Sequence, residues 1–60
     1  MTPATLRAKR EALQLTQEQL GEALGLTATS VYRMESGRQA ITPQTKNMIA
    51  LLVYRRDQPV

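Results

Sequence analysis

Side chains able to do covalent or acid–base chemistry are scarce in this chain. It has no cysteine and no histidine, and its acidic residues are Glu11, Glu18, Glu22, Glu35 and a single aspartate, Asp57. Without thiol or imidazole the usual nucleophiles, general bases and metal-ligand clusters are nearly absent. No two glutamates read as an acid and base pair. No catalytic, metal-binding or cofactor-binding residue is therefore assigned, and an enzyme is the least supported class. The chemistry left is recognition by charge and hydrogen bonding. Eight Lys+Arg against five Asp+Glu give a net charge of +3 and a pI near 10.0. Such an excess suits a polyanion-binding surface, because neutralising phosphates releases condensed counterions. Solubility alone also accounts for it, so the position of the cations matters more than their number.

The elements that must carry these side chains are written in one phrase stated twice, Leu15-Thr16-Gln17-Glu18-Gln19-Leu20 and Leu26-Thr27-Ala28-Thr29-Ser30-Val31. In the first copy Thr16 is placed to cap a helix, Gln19 three positions on is its capping-box partner, and Leu15 and Leu20 form a hydrophobic staple. The second copy repeats the geometry with Leu26, Thr27, Ser30 and Val31, Ser30 being the weaker box partner. Leu24-Gly25 ends the first of these helices, since glycine takes the left-handed conformation a helix stop commonly needs. The joint is then about three residues long, the length of a helix-turn-helix.

Two further helices flank the pair. Thr2 caps the first, with Pro3 at its first position, where a missing amide costs nothing. It is expected over residues 3–13, with Leu6, Ala12 and Leu13 on its apolar face and Arg7, Lys9 and Glu11 opposite. The pair spans residues 17–24 and 28–35. Ser36-Gly37-Arg38-Gln39 reads as a turn, and Thr42-Pro43 opens a last helix to about residue 55, with Thr45, Met48, Ile49, Leu52 and Val53 along one stripe. The expectation is a small all-α bundle of four, at most five, short helices with a central helix-turn-helix. Residues 1–56 form one domain and residues 57–60 a frayed tail. A chain of 60 residues buries only about 60% of its unfolded surface, which leaves a thin core. Its longest apolar run, Met48 to Tyr54, is far short of the roughly 20 residues a bilayer requires, and no signal peptide is visible. No membrane contact and no small-molecule ligand are expected, and the location expected is cytoplasmic.

The pattern Leu13-x-Leu15-Thr16-Gln17-x-x-Leu20-x-x-x-Leu24-Gly25-Leu26-Thr27, followed by Val31-Tyr32-Arg33-x-Glu35-x-Gly37-Arg38, resembles the lambda-repressor-like helix-turn-helix family of the Cro or XRE type. The resemblance spans about residues 6–53. Gly21 stands where the family usually has alanine, which lowers helix propensity by about 1 kcal/mol. Met34 occupies a site that is often aromatic, and the fifth helix many members use to dimerise has no room.

The resemblance implies a double-stranded DNA partner, with the third helix in the major groove and the second across the backbone. Thr27, Ala28, Thr29 and Arg33 then face the bases, Arg33 foremost because its planar fork matches guanine O6 and N7. Gln17, Ser30, Tyr32, Arg38, Gln39 and Lys46 are the phosphate-contact candidates. Thr16, Thr27 and Thr42 are caps first, and Tyr32 reads more readily as a half-buried packing residue than as a DNA contact. The family commonly pairs an arginine of the first helix with a glutamate ending the third, which assigns Arg10 and Glu35 a structural role. The function expected is a sequence-specific transcriptional regulator, a phage or bacterial repressor on a palindromic operator. Because one monomer reads few base pairs, a homodimer on DNA is expected, through Met48, Leu51, Leu52 and Tyr54 of the last helix. A DNA-binding or protein-interaction module of an antitoxin or of a larger regulator stays open.

Overall fold

The computed structural model of the chain describes residues 1–58. Four helices follow in order, α1 Pro3–Ala12, α2 Gln17–Leu24, α3 Ala28–Glu35 and α4 Pro43–Asp57, and no strand occurs among the described residues. All four begin on a threonine. Thr2, Thr16, Thr27 and Thr42 each accept a hydrogen bond from the backbone amide three residues on, satisfying a donor the helix start would leave unpaired.

The doubled phrase does not fold as two equal copies. In α2 the capping box is complete: the Gln19 amide donates to Thr16 Oγ1 at 3.0 Å, and the Thr16 amide donates to Gln19 Oε1 at 2.9 Å. In α3 the cap forms, with the Ser30 amide donating to Thr27 Oγ1 at 3.2 Å. Ser30 Oγ instead accepts from the Thr27 hydroxyl at 3.3 Å, since its side chain is too short to reach back as Gln19 does. The staples differ likewise. Leu15 packs on the cluster that contains Leu20, whereas Leu26 is 38% exposed.

Three helices stop in the same way. At the ends of α1, α2 and α3 the amides of Leu15, Leu26 and Arg38 donate to the carbonyls five residues back, of Arg10, Gly21 and Arg33. The residues just before them, Gln14, Gly25 and Gly37, have positive φ of 58°, 72° and 80°. This is the Schellman closure, and only at Gln14 does a residue with a Cβ fill the left-handed position. It stops α1 at Ala12, earlier than the periodicity suggests, and Ala12 is exposed rather than part of the apolar face.

The core takes at least one residue from every helix: Leu6 of α1, Leu20 of α2, Val31 and Met34 of α3, and Ile49 of α4, each at most 1% exposed. Met1, Leu15, Leu24, Ile41, Leu52 and Val53 surround it. Met34 fits here as a full core side chain, its unbranched thioether filling a site that an aromatic ring also fills. The helix α4 reaches to Asp57, two residues beyond expectation, and the molecule measures 36 × 19 × 18 Å. Along α4 the expected stripe of Thr45, Met48, Ile49, Leu52 and Val53 is buried or half-buried, while Leu51 and Tyr54 are exposed. Asp57 is thus helical and Gln58 its cap; the remainder of the expected tail, Pro59 and Val60, lies outside the described residues.

Candidate nucleic-acid interface

Helix α3 is fixed from behind and open in front. Val31 and Met34 anchor its rear face in the core. Thr29 and Arg33, one turn apart and therefore on one face, are exposed, as is Thr27, with Ala28 half-buried. The Thr27 hydroxyl accepts from the Ser30 amide and donates to Ser30 Oγ. Its hydrogen-bonding capacity is largely committed to the cap. Arg38 and Gln39 on the following turn and Lys46 in the second turn of α4 are all exposed.

The seating of α3 on α2 depends on the absence of a side chain at Gly21. A Cβ there would lie 2.8 Å from the Thr27 carbonyl carbon and 3.0 Å from its oxygen. The backbone at the start of α3 therefore rests directly on α2. The glycine that weakens α2 as an isolated helix is what allows this approach.

At its other end α3 is clamped to α1. Arg10 Nε donates to Glu35 Oε2 at 2.7 Å and Arg10 Nη2 donates to Glu35 Oε1 at 3.2 Å, a two-point fork. Arg10 Nη1 donates to the Leu15 carbonyl at 3.0 Å, so the same guanidinium also braces the joint between α1 and α2. Only 14% of the Arg10 side chain and 6% of the Glu35 side chain are exposed. The hydrogen bond that Arg10 donates to the Glu35 carboxylate raises the pKa of Arg10, outweighing the opposite effect of burial, with the Glu35 and Glu11 charges adding to it. As pH rises, the Arg10 side of the pair is therefore kept until the guanidinium itself deprotonates.

Gln17 has a role in this cluster that the sequence does not reveal. Its Nε2 donates to Glu35 Oε1 at 3.4 Å, which uses one amide hydrogen and leaves the second free. The side chain at the start of α2 is thereby oriented by the residue that ends α3. Gln17, Tyr32, Arg7 and Ser36 line one open cleft of about 440 Å³ whose floor is the Arg10–Glu35 pair. Tyr32 is 50% exposed in it rather than packed inside. Ser30 lies apart from this cleft, half-buried beneath the Thr27 cap. No group of His, Cys, Asp or Glu among the described residues is arranged to hold a metal ion. Among the described residues no helix is long and apolar enough to cross a membrane.

Two short helices joined by a three-residue turn, the second buried along its back and open along its front, define a helix-turn-helix protein. The chain belongs to the helix-turn-helix domain family, which matches it over residues 4–53. That span reaches from α1 into α4 and agrees with the Cro/XRE-like resemblance of the sequence. No curated protein and no solved structure gives a significant match.

Proposed function

We propose that this chain is a sequence-specific, double-stranded DNA-binding regulator of transcription that lays α3 in the major groove. The observation that carries the reading is the two-sided character of α3, with Val31 and Met34 fully buried behind and Thr29 and Arg33 exposed on one face in front. In that pose Arg33 reads guanine, Ala28 and the methyl groups of Thr27 and Thr29 meet thymine methyls, and Gln17, Tyr32, Arg38, Gln39 and Lys46 hold the backbone. Ser30 serves the backbone less directly, since its hydroxyl oxygen accepts from Thr27.

The regulator acts as a phage or bacterial repressor in the cytoplasm, occupying a palindromic operator as a homodimer. Half-sites one helical turn apart, about 34–36 Å, match two symmetric copies. Support for a dimer comes from α4, where Leu51 and Tyr54 are 40% and 61% exposed and lie one turn apart beside the half-buried Met48 and Leu52. The same stripe also fits the interaction module of an antitoxin or of a larger regulator.

Selection of bound sequences from a random duplex pool tests the reading, since it yields the operator and its symmetry together. Arg33→Ala should then erase preference among sequences while keeping salt-sensitive non-specific binding, and Gln17→Ala should weaken all sequences alike. A uniform loss from Arg33→Ala refutes the base-reading role. Sedimentation on operator DNA that finds one copy on one half-site refutes the symmetric dimer.

A further inference from the structure

We infer that the cleft between α1 and the end of α3 seats one DNA backbone phosphate, with Arg7 as the cation that neutralises it. The inference rests on the DNA-binding reading and extends it to a residue of α1. Two arginines line the cleft, and they are not equivalent. Arg10 has its Nε and both Nη groups engaged, by Glu35 and by the Leu15 carbonyl. Its charge is matched by a carboxylate at 2.7 Å, so it offers little to an incoming anion. Arg7 is held only through Nε, by Glu11 Oε1 at 2.9 Å, in a pair whose side chains are 67% and 58% exposed. Its Nη groups enter no hydrogen bond among the described residues. An exposed pair of this kind, four residues apart on a helix, is worth only a few tenths of a kcal/mol. A phosphate therefore draws Arg7 away from Glu11 at little cost.

The other walls suit the same ligand. Gln17 keeps one amide hydrogen free beside Glu35, and the half-exposed Tyr32 carries a hydroxyl donor. Ser36 does not contribute its hydroxyl proton, which is given to the Arg33 carbonyl at 3.1 Å. Glu11 then regulates the site: its carboxylate competes with phosphate for Arg7 and weakens binding to any duplex.

The test is a salt titration of duplex binding by the full chain, in wild type, Arg7→Ala, Arg7→Lys and Glu11→Gln, with circular dichroism showing that each is folded. Removing one neutralised phosphate lowers the salt slope by about 0.9, so between 50 and 200 mM salt the wild type should lose about 3.5-fold more affinity than Arg7→Ala. Arg7→Lys should retain the slope, and Glu11→Gln should bind every duplex more tightly. An unchanged slope in Arg7→Ala, or no gain from Glu11→Gln, overturns the phosphate site while leaving the DNA-binding reading intact. A wild type that binds no duplex overturns both.

Discussion

Replacing Arg10 by methionine strands the Glu35 carboxylate, with 6% of its side chain exposed and only the 3.4 Å bond from Gln17 remaining. Breaking a buried pair from one side typically costs about 3–5 kcal/mol, because the remaining charge keeps its desolvation penalty and loses its partner. Arg10 is 14% exposed and near the surface, which places this site at about 3 kcal/mol, the lower end of that range. The loss is large for so small a domain, since about 0.05–0.15 kcal/mol per residue gives it roughly 3–9 kcal/mol in total. A melting temperature lower by about 12–24 °C follows. Glu35→Leu should cost less, about 2 kcal/mol, because the long arginine can turn its head toward water. The double variant Arg10→Met/Glu35→Leu removes both charges and fills the space with apolar groups, so its cost should be about 1 kcal/mol or below. Urea denaturation of the four proteins closes the cycle, and these costs imply a coupling of about 4 kcal/mol. High salt should change it little, as the pair is shielded from solvent ions. Single variants costing under about 0.5 kcal/mol, or costs that simply add, would show that the fork behaves as a surface ion pair. The clamp on α3 would then be wrong.

Two other backbone positions give predictions of opposite sign. Gly21→Ala gains about 1 kcal/mol of helix propensity but puts a Cβ 2.8 Å from the Thr27 carbonyl carbon, and overpacking of that kind costs about 1–3 kcal/mol. The net should be no gain in melting temperature and a shift of the Thr27 and Ala28 amide resonances; a rise of several degrees would refute the close approach. Gln14→Gly relieves a non-glycine residue at φ 58° and should stabilise by about 0.5–1 kcal/mol. A drop in the urea midpoint would mean that Gln14 does more than close α1.

Within the cleft one substitution separates orientation from charge. If Glu35 holds Gln17 in place, Gln17→Glu should both lower duplex affinity and destabilise the fold, because a second carboxylate meets Glu35 near the 3.4 Å contact. Unchanged stability in a thermal melt would show that Gln17 is not part of the clamp.

Local chemistry was fully legible where it depends on neighbours in the chain. Thr2, Thr16, Thr27 and Thr42 announce four helix starts because a cap needs only an oxygen three residues before an amide. Gly25 and Gly37 announce two of the three stops because glycine has no Cβ to oppose a positive φ. Gln14 gave no such signal, since a glutamine in that conformation is tolerated only when the carbonyls of Arg10 and Glu11 and the packing around Leu15 compensate for it. The helical repeat also marked Leu6 and Ile49 as inward, and the staple positions singled out Leu20 and Val31. Tertiary structure decided the rest. That Gly21 is a contact surface and not a flaw in α2, that Gln17 is steered by Glu35, and that Arg10, beside an Arg7 held only by Glu11, is already engaged with Glu35 all depend on approaches between residues 6 to 25 positions apart. Capping and periodicity act within one helical turn, whereas these relations exist only once α1, α2 and α3 share a core.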